Sequence, residues 1–355
     1  MKVRIGEWFF TISAFIVSFY LYSLFSYFGI RQFFKESVLS EYFETNLWHV
    51  EIIVIGILFG SLFVIINRLT ENSALRKRSF GFIILLKSTL YLVALTLVCV
   101  LLLFAFRFLG LMSDEMLNEF GRLLSFEFLL SFLLFVAITI ISLNFIQSIN
   151  KKFGPGFLIS LLTGEYHHPK NEELVFLFLD LKDSTRIAEQ MGHKKYSSFI
   201  KECVHELTPA ILKYRARVYQ YVGDEVVLFW DVKNGFKESN CLKTFFEFKS
   251  TLNRKHTSFL AKYGEAPVFK AGMDAGVVTV TEIGDIKREI AFHSDVLNTA
   301  SRLEKKCNDF DARLIVSQHV MDRIQSSEDY KLEFLSDLPL KGKNEHLKFY
   351  AVHSN

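Results

Sequence analysis

The chain has 355 residues, enough for two ordinary domains. Half of them are hydrophobic and 38 are Phe, yet the long apolar runs lie almost entirely before residue 150 and most of the charge after it, which excludes a single soluble core. A net charge of +3 is too small to argue for a nucleic-acid partner, and Cys99, Cys203, Cys241 and Cys307 lie too far apart for a CxxC pair or a metal cluster, so they read as free thiols.

Four runs meet the span criterion of about 20 mostly apolar residues, roughly Trp8–Ile30, His49–Asn67, Phe80–Phe106 and Leu123–Ile146. A lone segment in lipid has to satisfy its own backbone hydrogen bonds, so each is expected to be helical. The first lacks a small-residue cleavage site and reads as a retained span. Lys2 and Arg4 precede it, Arg68, Arg76, Lys77 and Arg78 lie in the second loop, and Lys151 and Lys152 follow the fourth span. Acidic residues collect in the first and third loops (Glu36, Glu41, Glu44; Asp114, Glu115, Glu119). The positive-inside rule then places both ends of a multi-pass, inner- or cell-membrane protein in the cytoplasm. His49, Glu51, Lys87 and Glu127 lie in or near the spans. Glu51, Lys87 and Glu127 read as side chains that reach the interface or pair within the bundle, with a sensor pocket or dimer contact as the alternative.

Pro155 between Gly154 and Gly156 ends the last helix and opens a junction. His167 and His168 within it have no third partner at metal spacing and read as solvated linker. The expected division is a transmembrane domain over 1–147, a junction over 148–172 and a cytosolic domain over 173–355.

From Leu174 a near-continuous apolar run reads as a buried central strand, interrupted near its end by Asp180. Lys182-Asp183-Ser184-Thr185 follows, with Asp183 or Ser184 as candidate helix cap and a turn whose backbone N–H groups suit a phosphate. A second helix is expected over about Lys194–Tyr214. Arg217 to Trp230 reads as a hairpin hinged at Gly223-Asp224. Alone, Asp180 is an ordinary strand-end residue and Asp224 an ordinary turn former. Together, on adjacent elements, they are what a two-metal phosphoryl-transfer site requires, because the carboxylates repel without cations between them. Strands are expected over Val268–Ala275, Gly276–Thr281 and Glu289–Phe292, then a helix from Asp295. On that helix Asn298 and Arg302 share one face, an amide and a guanidinium suited to a ribose oxygen and a phosphate, or else an exposed polar face. Leu340 to Val352 reads as a basic turn entering a last strand. The alternation fits an α/β domain.

The runs FLDLKDST (178–185), YQYVGDEVVLFW (219–230), DVLNTASRLE (295–304) and LKGKNEHLKFYAV (340–352) resemble, in order and spacing, the signatures of the class III adenylate/guanylate cyclases. The resemblance covers roughly residues 172–353. It implies a ferredoxin-like βαββαβ catalytic core working as a head-to-tail homodimer with shared active sites, and the four expected spans add an all-α transmembrane four-helix bundle. By position, Asp180 and Asp224 resemble the metal ligands for two divalent cations (Mg2+ or Mn2+), with the Leu181 carbonyl as a further ligand. Lys182, Asp183, Ser184 and Thr185 resemble the turn that cradles the triphosphate, and Lys343 a triphosphate-binding lysine. Asn298 resembles the residue that orients the ribose and Arg302 the one that stabilises charge at the α-phosphate, both acting from the opposite subunit. The implied reaction is attack of the 3′-oxygen on the α-phosphorus, giving a 3′,5′-cyclic nucleotide and pyrophosphate.

The chain departs from the family at the base-reading positions. Adenine selectors usually carry lysine where Gln220 stands and aspartate or threonine where Ala291 stands, and the pair expected of guanine selectors is missing as well. Gln220 both donates and accepts, so ATP and GTP stay open, with ATP favoured as the commoner family substrate. Asp274 stands where many members have histidine. Two other classes compete: an inactive cyclase-like dimerising or nucleotide-binding module, and a diguanylate cyclase suggested by Gly-Asp-Glu at 223–225. Val222 and Val226 break that second family's hairpin pattern. Transport has little support, because the spans lack paired half-helix breaks.

Overall fold

The computed structural model describes residues 2–31, 47–70, 80–108, 126–153, 163–286, 288–324, 330–339 and 346–354. It divides into two compact units, 1–155 and 156–355.

The first unit contains α1 (Lys2–Arg31), α2 (Leu47–Leu69), α3 (Phe80–Phe108) and α4 (Phe126–Phe153). Among the described residues three stretches are long and apolar enough to cross a membrane: Trp8–Phe25, Trp48–Leu69 and Leu130–Gln147. In α3 the described apolar stretch is the shorter Gly81–Leu97. Aromatic side chains fill the interior, with Phe15, Phe19, Phe59, Phe63 and Tyr91 all buried. The Tyr91 hydroxyl donates to the Phe59 carbonyl at 2.9 Å, so its polar end is satisfied inside that apolar centre. Gly56 and Gly60 let α2 approach α1 closely: a Cβ at Gly60 would lie 2.8 Å from the Ile12 Cα, and one at Gly56 would overlap the Ile16 side chain. Large apolar groups such as Phe9, Leu21, Phe25 and Ile53 point outward, the reverse of a water-soluble bundle. His49 pairs with the Tyr20 hydroxyl at 3.3 Å. Glu51 is exposed, Lys87 is half-buried, and the Glu127 and Cys99 side chains lie outside the described ones.

The second unit is one mixed sheet with helices packed on it. In chain order it runs β1 (Lys170–Leu181), α5 (Ser184–Met191), α6 (His193–Lys213), β2 (Arg217–Val222), β3 (Glu225–Asp231), α7 (Val232–Phe236), α8 (Asn240–Arg254) and α9 (His256–Tyr263). Then follow β4 (Phe269–Ile283), β5 (Glu289–His293), α10 (Asp295–Lys306), β6 (Leu314–Ser317), α11 (Gln318–Met321), β7 (Tyr330–Pro339) and β8 (His346–Ser354). The strand order is β2-β3-β1-β4-β6-β8-β7, with β5 paired to the far end of β4. Its first four strands are antiparallel neighbours in the order β2-β3-β1-β4, the arrangement of a βαββαβ core.

Alternation along β1 explains how both sheet faces are covered. Val175, Leu177, Leu179 and Leu181 join the helical side, with Phe199, Leu207, Phe245 and Phe248. Leu174, Phe176 and Phe178 face the other way with Val296 and Ala300 of α10. The strand extends beyond the apolar run: Lys170–Glu173, exposed or half-buried, pair with residues 277–280, so hydrophobicity marked only the buried part and β1 starts inside the expected junction. The two stretches expected between Val268 and Thr281 are one continuous strand, β4. His167 and His168 are exposed, as a solvated linker requires. Cys203, Cys241 and Cys307 are buried free thiols.

Candidate active site

Asp180 lies one residue before the end of β1, on the α10 face of the sheet, directly opposite Lys270 on β4. Asp224 follows Gly223, whose φ of 62° makes the tight turn between β2 and β3. Both aspartates are half-buried, and one Asp224 carboxylate oxygen is fully buried with no hydrogen-bond partner among the described residues. Burial, then the negative charges of Glu304 and Asp224, push the Asp180 carboxyl up to about 7, while Lys270 draws it back. Such an arrangement holds concentrated negative charge with an unfilled acceptor, which is costly unless a cation arrives. Among the described residues no three His, Cys, Asp or Glu side chains converge on one point.

The turn after β1 is held by the Lys182 N–H donating to the Val268 carbonyl at 2.8 Å. Asp183 occupies the position before α5 with φ 59° and makes no side-chain cap, so neither the conformation nor the bonding is that of the expected capping residue. Its backbone sits in the left-handed region that shapes the turn. Lys182 is 3.7 Å from exposed Asp311. Burial and then Asp224 push the Tyr196 phenol up to about 12, while Ser184 draws it back. Asp180, Leu181, Lys182, Asp183, Ser184, Thr185 and Asp224 therefore share one end of the β1–β3 region.

Helix α10 is capped by Ser294, whose side chain accepts from the Val296 N–H at 3.1 Å and donates to the Val277 carbonyl at 2.9 Å, fastening the helix to β4. Val296, Ala300, Leu303 and Glu304 form its buried side, and Asn298 and Arg302 stand exposed away from it. Within one chain, Asn298 and Arg302 are not brought to Asp180 by any described contact. Gln220 is exposed on β2, just past a bulge, and Ala291 is buried on β5. Their neighbours Tyr219 and Phe292 meet edge to face at 4.8 Å, so the two positions lie on strands in mutual contact. Lys343 lies outside the described residues.

Asp274 has a structural partner set: it accepts from Ser317 Oγ at 2.5 Å and from the Ala275 N–H at 2.8 Å, and pairs with His319 Nδ1 at 3.1 Å. Sequence reasoning missed Lys270 and Glu304. The Lys270 ammonium is 2.7 Å from Glu304 and 3.4 Å from Asp180, with both Lys270 and Glu304 buried. Burial works against the Lys270 charge, but Glu304 and Asp180 outweigh it and hold its pKa above the ordinary lysine value. One signal was present: Lys270 is a single charge set inside the apolar start of β4, and Glu304 continues the Val296–Ala300 stripe.

The family described as the adenylate and guanylate cyclase catalytic domain matches residues 166–354, more than half of the chain. The chain belongs to that family. Adenylate cyclase 2 of Rhizobium meliloti (strain 1021) is 28% identical over 208 residues, 59% of this chain and 57% of that protein. The terminal-differentiation-specific adenylate cyclase of Dictyostelium discoideum is 23% identical over 185 residues, 51% of this chain and 9% of that protein. This cyclase-family chain thus spans little more than half of one curated relative and a small part of the other. Among solved structures, a bacterial light-regulated adenylyl cyclase aligns over 69% of this chain and 66% of its own, at 16% identity and a TM-score of 0.51, a likeness of fold.

Proposed function

We propose that this protein is a membrane-anchored nucleotidyl cyclase that converts ATP to 3′,5′-cyclic AMP and pyrophosphate. The observation that carries the reading is that Asp180 and Asp224 stand at one end of adjacent strands, where Leu179 of β1 registers with Val226 of β3. One carboxylate is driven up to about 7 and the other keeps a buried oxygen without a partner, so the residues fit divalent cations. Asp180, Asp224 and the Leu181 carbonyl would hold them. Bound there, Mg2+ or Mn2+ supplies positive charge for the triphosphate and for the 3′-oxygen.

The chain's own residues do the rest by positioning and electrostatics. Lys182–Thr185 receive the phosphates on the turn into α5, and Lys343 adds a cation to them. Asn298 orients the ribose and Arg302 neutralises charge gathering at the α-phosphate. The 3′-hydroxyl gives up its proton to water, and as its oxygen forms the bond to the α-phosphorus, the bond to pyrophosphate breaks. Because Asn298 and Arg302 face away from their own chain's Asp180, a second copy of the chain supplies them in a head-to-tail homodimer. The two adenylate cyclase relatives favour ATP. A guanylate cyclase is the second reading, favoured by exposed Gln220, whose amide suits either base edge.

The three long apolar helices support membrane anchoring. With the apolar Phe80–Phe108 helix they make a four-span bundle, and the loop charges put the N-terminus and cyclase domain in the cytoplasm. Residues 148–172 then transmit changes in the bundle to the dimer, where small rotations assemble or separate shared sites.

Complementation tests the shared-site reading. Asp180→Ala and Arg302→Ala each lose turnover while remaining folded, and mixed dimers of the two recover part of it. Substantial activity in Asp180→Ala alone would remove the metal assignment. No recovery in demonstrably mixed dimers would remove the shared-site architecture.

A further inference from the structure

Lys270 occupies a position that the cyclase reaction, as derived above, does not use. It stands across from Asp180 in the β1–β4 register, its side chain only 9% exposed, with its ammonium 3.4 Å from Asp180 and 2.7 Å from Glu304. Glu304 is more deeply buried still, its side chain 3% exposed. A buried carboxylate and a buried ammonium are each unfavourable alone. Their pairing neutralises both and leaves the ammonium free to present its remaining donors to Asp180.

The backbone enforces this geometry. At Gly272, two residues along β4 from Lys270, a Cβ would overlap the Ala300 carbonyl and the Glu304 N–H nitrogen and lie 2.8 Å from the Glu304 Cα. The absence of a side chain there lets α10 lie directly on β4 and delivers Glu304 to Lys270.

We propose that Lys270 is a positioning residue: anchored by Glu304, it fixes the Asp180 carboxylate in the orientation from which that group receives a divalent cation. The inference rests on the reading of Asp180 as a metal ligand. Anchoring by Glu304 matters because an unpaired ammonium beside the site would repel the incoming cation, whereas the neutral pair orients Asp180 with little net charge. The same pair ties Asp180 to α10, the helix that carries Asn298 and Arg302 on its opposite side.

The test is Mn2+ binding to the full chain in detergent without nucleotide, read by electron paramagnetic resonance, with a thermal midpoint recorded for every variant. Wild-type protein binds Mn2+ and Asp180→Ala loses that site. Folded Glu304→Gln and Lys270→Met/Glu304→Gln are expected to bind on the order of 10- to 100-fold more weakly, the usual effect of removing a group that orients a metal ligand. Lys270→Arg, which keeps a cation within reach of both carboxylates, recovers most of the affinity. Glu304→Asp keeps the charge and shortens the anchor, so it weakens binding even if the neutral variants do not fold. Wild-type Mn2+ affinity in any folded Glu304 variant overturns the proposal, since a purely structural pair would move only the thermal midpoint. Equal binding by wild type and Asp180→Ala would instead refute the metal reading itself, and the inference with it.

Discussion

The backbone of Gly272 on β4 lies against the backbone of Glu304 on α10, with no room for a methyl group between them. The approach sets the height of α10 above the sheet, and with it the position of every residue that helix carries.

Gly272→Ala should therefore destabilise the protein by about 2 kcal/mol, the usual cost of overpacking a close contact. Gly276→Ala, on the same strand, should cost less. There the new Cβ would meet only a Val296 methyl at 3.0 Å, a side chain that can give way. Urea unfolding of both variants checks the order. An equal or smaller loss at Gly272 would mean that α10 can shift without penalty.

The first unit offers a parallel case. Gly60 packs on the backbone of Ile12, so Gly60→Leu has to push α1 and α2 apart. A lowered thermal midpoint in detergent is expected, corresponding to roughly 1–3 kcal/mol. Gly81→Leu is the control, because nothing lies within 4 Å of a Cβ at that position. The idea fails if the two substitutions have the same effect.

His319 gives a pH dependence with a definite sign. Its hydrogen bond to Asp274 raises its pKa above the usual histidine value against the opposing effect of burial, with Arg323 lowering it and Asp322 raising it further. A raised folded-state pKa contributes stability that is fully present below the unfolded value of about 6.5 and lost as pH rises through the higher folded value. The side chain is 53% exposed, so solvent screening keeps the effect small. Thermal midpoints measured from pH 6 to 8 should fall more in wild type than in His319→Gln. A steeper fall in the variant would contradict the pairing.

Much of the candidate site was legible in the sequence because charge interrupted apolar patterns. Asp180 stood out in the Leu174–Leu181 run, Asp224 at a glycine hinge, and Asn298 and Arg302 on one side of a periodic helix. Apolar runs marked β1 and the β2–β3 hairpin, whereas β4 was expected as two strands and is one. Lys270 and Glu304 stayed hidden because their meaning depends on register and helix height. Only the pairing of Asp180 with Lys270 across β1 and β4, and the crossing of α10 at Gly272, brings the three charges together. Strand β7 escaped notice because its residues from Lys331 to Asp337 are exposed or half-buried, without a clean apolar alternation. Gly56 and Gly60 were visible at a spacing of four, but within a run read for its apolar length alone.

The central claim is chemical, and product formation tests it most directly. The purified chain is incubated in parallel with ATP and GTP, each with Mg2+ or Mn2+, and the cyclic products are quantified. The account predicts cyclic AMP from ATP in excess of cyclic GMP from GTP, and neither product from Asp180→Ala. Absence of any cyclic nucleotide under all four conditions would contradict it and leave a cyclase fold that binds or dimerises without catalysis.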